Sequence, residues 1–395
     1  MTSTLRPAPL AKALELRDRL RAAGVKFVHW KSNDHLAEAL AGLTDIDLYV
    51  PPSDREAFAT AMAGLGAQHI IGQPWSTYPN VEDWLLFDEA SGGFLHLHQH
   101  FALMTGLKRV KHLAIPWGPM LMENLREDGA SGWPIPAAEM EFIILLVRIW
   151  AKMPPWRRAF GQRIPGSIRK ELDWLRKDSN PETVRALLAR LLPGVPPAAV
   201  LEVATAENPS KAQIISAARL LNRALINSER LPWGRALGQA AGRNGAMAVR
   251  RGLRPLSPRA QVGKTLPVCG VTVAVIGSDG AGKSTVTAAL TKWLRFKLDT
   301  ECLYLGTGDG GSGLFDLTRR AVRGAVRAVK PKTDTSAARP TRREGDKRGN
   351  RVVALHHLLL LRQKLARLRL ARALAADGRM VILDRFSARP VCRPE

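Results

Sequence analysis

The sequence predicts a mixed α/β protein with an α+β domain at one end, a helical middle, and a parallel sheet at the other end. Near the start, acidic and apolar residues alternate at 45–50, as in a half-buried strand. Between 137 and 250, apolar residues recur at helical spacing. Later, an apolar run at 271–276 leads through a glycine-rich loop into a helical pattern at 286–298, which indicates a strand, a turn and a helix.

The predicted boundaries divide the 395 residues into four segments. Residues 1–136 form the α+β domain, 137–250 the helical region, 251–269 a linker, and 270–395 the domain with the glycine-rich loop. The third segment is interpreted as a linker because it contains three prolines and several cations. A chain of this length can bury two separate cores.

The first elements place two carboxylates on one strand. In order, the patterns predict a helix at 10–23, a strand at 25–30, a turn of Lys31, Ser32 and Asn33, and a strand at 45–50. Because side chains alternate along a strand, Asp45 and Asp47 point to the same face, about 7 Å apart. Two carboxylates at this spacing could share a pair of divalent ions.

This arrangement resembles the polymerase β-type nucleotidyltransferase superfamily over roughly residues 10–105. The matching motifs are Trp30-Lys-Ser-Asn33 and Gly42-Leu-Thr-Asp-Ile-Asp-Leu48. The resemblance implies metal ligation by Asp45 and Asp47, and it makes Lys31 and Ser32 site candidates at a turn that meets the Asp-x-Asp strand. The family usually has Gly-Ser at that turn, so Lys31 replaces a residue suited to close backbone approach.

The family's third carboxylate is expected on a later strand, and the candidate strand at 94–100 has His96 instead. A neutral imidazole suits Zn²⁺ better than Mg²⁺. His96, His98 and His100 alternate onto one face of that strand, which could indicate a zinc site or ordinary half-buried histidines. With no cysteine nearby, the sequence favours ordinary histidines.

The helical region is predicted to be a spacer that packs against the first sheet. Its helical patterns are at 139–151, 168–176, 182–192 and 211–227, and proline pairs at 154–155 and 196–197 separate them.

The glycine-rich loop has the pattern G-x-x-x-x-G-K-[ST] and predicts binding of a nucleoside triphosphate. Its residues are Gly277, Ser278, Asp279, Gly280, Ala281, Gly282, Lys283, Ser284 and Thr285. The glycines allow backbone amides to converge on phosphate oxygens at the start of the next helix. Lys283 can reach the β- and γ-phosphates, and the Ser284 hydroxyl can ligate Mg²⁺. The expected ligands are therefore ATP and Mg²⁺.

A second motif follows about 100 residues later. The apolar strand pattern at 380–383 ends in Asp384 and Arg385. An acid at the end of a buried strand suits a role at Mg²⁺, and an arginine beside it suits a phosphate.

Together the two motifs resemble the thymidylate kinase family, through the loop at 277–285 and Gly378-Arg-Met-Val-Ile-Leu-Asp-Arg-Phe386. The resemblance implies a parallel-sheet P-loop NTPase fold that transfers the γ-phosphoryl group of ATP to a nucleoside monophosphate or similar acceptor. It further implies that Asp279 faces the acceptor's sugar, Arg385 holds its phosphate, and Asp384 organises the metal and the transferred group.

Two departures from that family bear on activity. The glycine-rich stretch at 304–313 stands where such kinases contact the acceptor, without a thymidine-specific pattern, so the acceptor stays open. Only nine residues follow Phe386, whereas the family continues with further strands and a lid. The expectation is an incomplete kinase domain. Three functions remain: a nucleotide kinase, a nucleotidyltransferase with an accessory P-loop domain, and an inactive ATP-binding protein.

The charge and the composition of the chain indicate what partners it could bind and where in the cell it is expected. The net charge is +24, and the segment 319–372 has 17 Lys and Arg against three acids. Such a segment could meet an anionic partner, although a solvated face around a phosphate site is favoured. No apolar run approaches the 18 residues of an integral membrane segment, and three widely spaced cysteines favour a cytoplasmic protein without disulfides. The oligomeric state is left open.

Overall fold

The computed structural model describes residues 7–159, 164–278, 280–306 and 347–385. The chain divides into two compact units, Met1–Val249 and Arg250–Glu395. Both combine helices and strands, so the predicted mixed α/β class is confirmed. Among the sequence-based predictions, those on Asp279, Phe386 and residues 307–346 lie outside the described residues.

The first unit is built on a five-stranded mixed sheet. Its strands are β1 (Val28–His29), β2 (Ile46–Tyr49), β3 (Gln68–Ile70), β4 (Val81–Asp88) and β5 (Gly93–His100). The spatial order is β1-β2-β5-β4-β3. Strands β2 and β5 pair in parallel, and the other neighbours pair antiparallel. The two strands on which the sequence placed its acids and histidines are therefore adjacent.

Three helices cover one face of this sheet. They are α1 (Ala11–Ala22), α2 (Leu36–Leu40) and α3 (Arg55–Gly64). Leu95 and Leu97 of β5 are fully buried in a core with these helices. Because side chains alternate along a strand, His96, His98 and His100 lie on the opposite face. The helix-covered face supplies the apolar core, and the other face carries the polar residues.

The rest of the first unit adds two small hairpins and a helical bundle. The hairpins consist of β6 (Leu103–Thr105) with β7 (Leu113–Ile115), and β8 (Leu125–Glu127) with β9 (Pro134–Pro136), with helix α4 (Gly118–Glu123) between them. The helices that follow are α5 (Ala138–Ala151), α6 (Pro155–Ala159), α7 (Gly166–Asp178), α8 (Pro181–Leu191), α9 (Ala198–Thr205), α10 (Lys211–Ala224) and α11 (Trp233–Leu253).

Helix α5 lies at the centre of that bundle. Every residue from 142 to 147 is buried, and α7, α8 and α10 pack around it. The apolar core of the bundle also includes Val28 and Trp30 from the β1 region. The helical region is thus not only a spacer, because α5 reaches the polar face of the sheet. None of the helices within the described ranges is both long enough and apolar enough to span a bilayer.

The second unit contains a three-stranded parallel sheet. Its elements are β10 (Thr272–Val275), α12 (Lys283–Leu294), β11 (Thr300–Tyr304), α13 (Lys347–Ala376) and β12 (Met380–Asp384). The strand order is β10-β12-β11. Strand β12 is the last of the three in the sequence, but it lies between β10 and β11 in the sheet.

Candidate functional site

The turn between β1 and α2 is fixed by helix α5. Ser32 has a φ of +58°, in the left-handed region, and its Oγ accepts a hydrogen bond from Arg148 Nη2 at 2.9 Å. Asn33 donates to both carboxylate oxygens of Glu141, from its backbone N at 3.0 Å and from Nδ2 at 2.8 Å. Glu141 and Arg148 are seven residues apart and share one face of the helix. Two side chains of α5 therefore hold a turn more than 100 residues earlier in the chain.

The charged groups behind this turn are strongly perturbed by burial. Burial raises the pKa of Glu141 to about 7, against the hydrogen bonds from Asn33. Arg148 Nη1 also pairs with Glu171 Oε1 at 2.8 Å, and both side chains are buried. The charge of Arg148, together with burial, lowers the pKa of Lys152 well below its usual range.

Lys31 forms an ion pair with Asp47 of β2. Burial lowers the pKa of the Lys31 ammonium, and the charge of Asp47 opposes that effect. Burial alone would raise the pKa of Asp47, but the charge of Lys31 and the neighbouring imidazoles hold it well below its usual range. Lys31 thus reaches the Asp47 carboxylate on the strand and neutralises its charge.

His96 bridges two carboxylates. Its Nδ1 lies 2.8 Å from Asp45 Oδ1, and its Nε2 lies 3.1 Å from Asp83 Oδ1. Asp83 is buried on β4, where the antiparallel register places it opposite His98 of β5. Asp83 could not be predicted as a site residue from the sequence, because nothing in the pattern at 81–88 shows which strand it will pair with. All five site residues that the sequence predicts in the first unit lie at or beside one face of the sheet. They are Lys31, Ser32, Asp45, Asp47 and His96.

His98 and His100 approach the other side of the Asp47 carboxylate. Asp47 Oδ1 lies 3.6 Å from His98 Nδ1 and 3.5 Å from His100 Nε2. His98 Nε2 lies 3.3 Å from Asp83 Oδ1. Burial lowers the pKa of both imidazoles, which keeps them neutral near pH 7.

The phosphate-binding pattern of the second unit forms a tight turn before α12. Gly280 and Gly282 have φ values of +84° and +75°, a region that residues with a Cβ rarely adopt. Lys283 begins the helix and folds back so that Nζ donates to the carbonyl oxygen of Gly277 at 2.8 Å and to that of Ser278. Ser284 and Thr285 are exposed in the first helical turn, and Ala281 lies at the exposed loop apex.

Asp384 lies beside the start of this loop, because the parallel register pairs it with Val275. Its Oδ1 is buried and has no hydrogen-bond partner within the described ranges. Asp384 and Ser284 line the same cavity of about 570 Å³, together with Thr291, Lys292 and Arg295 among others. Arg385 has a φ of +58°, and its guanidinium lies 5.6 Å from the ring centre of Tyr304.

Comparisons with known proteins do not identify a family for this chain. No protein-family model matches the chain. No curated protein matches it either. Among solved structures, the chain is similar to the solution structure of the antibiotic-resistance factor ANT(2'')-Ia, with 12% sequence identity and a TM-score of 0.27. That match covers 45% of this chain and 89% of the other. At this level of similarity, nothing about activity follows from it.

Proposed function

We propose that this protein binds a nucleoside triphosphate with Mg²⁺ at residues 277–285 and transfers the γ-phosphoryl group to a nucleoside monophosphate or similar acceptor. The observation that carries the proposal is the position of Asp384. Asp384 lines the same cavity as Ser284, and its Oδ1 is buried without a hydrogen-bond partner among the described residues. A carboxylate and a hydroxyl at one cavity are oxygen ligands of the kind that Mg²⁺ prefers.

The loop supplies the electrostatics of triphosphate binding. Backbone amides at the start of α12 carry partial positive charge, and the left-handed Gly280 and Gly282 let neighbouring amides turn toward one anion. The ammonium of Lys283 rests on two loop carbonyls, which are weak partners compared with phosphate oxygens. A bound triphosphate would draw Lys283 to its β- and γ-phosphates.

The metal would be held by Ser284 Oγ and by Asp384, directly or through water. When bound, Mg²⁺ supplies charge stabilisation for the transferring phosphoryl group. The strand order supports this division of tasks, because β12 pairs directly with the strand that enters the loop.

The acceptor site is assigned to Arg385, which follows Asp384 at the end of β12. Its guanidinium can pair with the acceptor phosphate through two parallel hydrogen bonds. By resemblance to thymidylate kinases, Asp279 is assigned to the acceptor's sugar. Arg385 thus lies one residue from the proposed metal carboxylate, which would bring the acceptor phosphate close to the metal-bound triphosphate.

The first test is calorimetric titration of the full chain with Mg·ATP. Lys283→Ala removes the only side-chain cation of the loop, and we expect it to weaken binding at least about 100-fold. Lys297→Ala, in the same unit but outside the loop, is the matched control and should bind as wild type. Asp384→Asn should retain ATP binding but lose most of its Mg²⁺ dependence. Wild-type binding by Lys283→Ala would refute the site.

A second candidate function is nucleotidyl transfer in the first unit. It is favoured by one observation: Asp45 and Asp47, at the start of β2, open onto the same face as Asp83. Three carboxylates on one face could bind divalent ions for attack on an α-phosphate. The ion pair of Lys31 with Asp47 works against it, because the lysine occupies one of the carboxylates.

The two functions move different phosphorus atoms, so labelled ATP separates them. A kinase passes the γ-label to the acceptor and releases ADP, whereas a nucleotidyltransferase passes the α-label and releases pyrophosphate. With a panel of nucleoside monophosphates we expect γ-label transfer that is lost in Lys283→Ala and kept in Asp45→Ala. Transfer of the α-label that is lost in Asp45→Ala would establish the second function instead. Binding without transfer of either label would identify an inactive ATP-binding protein.

A further inference from the structure

We propose that Asp47, His98 and His100 form a binding site for a divalent transition-metal ion, with Zn²⁺ the best match. The site is separate from the magnesium site proposed at the glycine loop and does not depend on it. Two imidazoles and one carboxylate are ligands that suit Zn²⁺ rather than Mg²⁺.

The sheet places the three ligands on two adjacent strands, β2 and β5. Asp47 and His98 are direct partners in the parallel register of β2 and β5, and His100 follows two residues later on the same face. Strand β5 is the central strand of the sheet. The ligand positions are therefore set by main-chain hydrogen bonds and do not rely on a loop.

The two distances from Asp47 to the imidazoles fit a metal better than they fit hydrogen bonds. Asp47 Oδ1 lies 3.6 Å from His98 Nδ1 and 3.5 Å from His100 Nε2. An N–H···O hydrogen bond rarely exceeds about 3.2 Å. Tetrahedral Zn²⁺ with bonds of about 2.0–2.1 Å holds neighbouring ligand atoms about 3.4 Å apart. The three ligand atoms all lie within 4.8 Å of one another.

His100 gives a second, independent indication. Its side chain is fully buried, and neither ring nitrogen has a hydrogen-bond partner among the residues that the structure describes. A buried imidazole without partners costs free energy, so such groups in folded proteins usually have a ligand or an ordered water. The Nε2 that approaches Asp47 is one of these two atoms, and a metal at the cluster would satisfy it.

Asp83 completes the arrangement behind His98. Its carboxylate lies 3.3 Å from His98 Nε2, while His98 Nδ1 faces Asp47. Metal-bound histidines commonly donate their second ring N–H to a carboxylate, which fixes the tautomer and orients the ring. Asp83 would have this positioning role. About one-fifth of the His98 and Asp47 side chains is exposed, so an ion can approach the cluster from solvent.

Lys31 determines how strongly this site binds. Its ammonium contacts the same oxygen, Asp47 Oδ1, that both imidazoles approach. Lys111 adds a positive charge near His98 and His100. An incoming metal must displace the Lys31 ammonium from Asp47, so removal of the lysine charge should strengthen metal binding. An ordinary cluster of half-buried histidines predicts no such effect.

The test is titration of the full-length protein with Zn²⁺, together with the visible spectrum of bound Co²⁺, which is intense for four-coordinate sites. We expect one site that Mg²⁺ does not compete for. His98→Asn should abolish it, and Asp83→Asn should weaken it by about 10- to 100-fold. Lys31→Met should tighten it by about tenfold. His35→Asn, at an exposed histidine outside the cluster, is the matched control and should bind as wild type.

His98 is the decisive position because it is partly exposed, so its replacement is tolerated better than that of the fully buried His100. Circular dichroism of each variant establishes that it is folded. Equal Zn²⁺ affinity in folded His98→Asn and in wild type would overturn the proposal. Weaker binding by Lys31→Met would overturn the assigned competition at Asp47. Lys283→Ala should leave the Zn²⁺ titration unchanged, which keeps this test separate from that of the triphosphate site.

Discussion

At the scale of single residues, Glu141 is a carboxyl group with a strongly perturbed environment. It is fully buried, accepts two hydrogen bonds from Asn33, and lies near the ion pair of Arg148 with Glu171. Burial dominates and raises its pKa from 4.5 to about 7. The carboxyl group is therefore about half protonated at neutral pH, which is unusual for a glutamate that fixes a turn.

Glu141 should make stability depend on pH with a defined sign. Its folded pKa lies above its unfolded value, so its contribution is fully present below pH 4.5 and is lost as pH rises through 7. Glu141→Gln cannot titrate. We expect the free energy of unfolding of wild type, relative to this variant, to fall between pH 4.5 and pH 7 in urea titrations.

Asp34 should change the free energy of unfolding with pH in the same direction, because burial raises its pKa to about 6. Asp34 is present both in wild type and in Glu141→Gln. The difference between their free energies of unfolding therefore isolates the effect of Glu141. Glu56→Gln, at an exposed position of α3, is the control for loss of one carboxylate. A wild-type-minus-variant difference that stays constant over this pH range would contradict the prediction.

At the scale of elements, helix α5 matters most, because it joins the helical bundle to the turn at Ser32. Arg148 binds both Glu171 of α7 and the Ser32 hydroxyl. Its partner carboxylate is buried, so removal of the arginine leaves a buried charge without its main partner. The same helix thus stabilises the fold and shapes the face that carries Lys31 and Asp47.

Removal of only one partner of the Arg148–Glu171 ion pair should lower the stability of the protein strongly. We expect Arg148→Met to lower the free energy of unfolding by about 3–5 kcal/mol, and the double change with Glu171→Gln to recover part of that loss. The matched control is Arg190→Met, which breaks the exposed pair with Glu123 and should cost less than about 1 kcal/mol. Equal losses for Arg148→Met and Arg190→Met in urea unfolding would refute this account.

Helix α10 begins with a capping box. Ser210 Oγ accepts from Gln213 N at 3.3 Å, and Gln213 Oε1 accepts from Ser210 N at 2.6 Å. Ser210→Ala should cost about 1 kcal/mol, because it leaves an amide of the first turn unpaired. Ser210→Asp keeps an acceptor and should retain most of the stability. If thermal unfolding finds both variants equally destabilised, the cap does not stabilise this helix.

At the scale of the whole molecule, the chain consists of two units with different chemistry. The first carries histidines and carboxylates on a mixed sheet, and the second carries the glycine loop on a parallel sheet. Each proposed ligand site lies entirely within one unit. A ligand of one site should therefore act without the residues of the other.

Ligand-induced stabilisation should follow this division. Mg·ATP at 100 times its dissociation constant stabilises the state that binds it by about 2.7 kcal/mol. We expect calorimetric melting of the full chain to show this shift in wild type and in Asp45→Ala, but not in Lys283→Ala. Equal loss of the shift in both variants would contradict the assignment of the triphosphate to the second unit.

Much of the local structure could be read from the sequence. The helical pattern at 139–151 corresponds to α5, the strand at 94–100 to β5, and the strand at 380–383 to β12. Periods of two and of about 3.6 residues arise from backbone geometry within a few residues, so they survive in the sequence. The loop at 277–285 is equally local, because glycine positions alone define its left-handed turns.

The sequence by itself determined that helix α5 and strands β5 and β12 form, that leucines and histidines of β5 lie on opposite faces, and that a glycine loop precedes α12. Only the tertiary structure decided that Asp83 stands behind His98, that Lys31 neutralises Asp47, and that Glu141 and Arg148 hold the turn at Ser32. The reason is physical. Local periodicity depends on neighbouring residues, whereas these contacts join strands and helices whose partners are chosen by the packing of the whole unit.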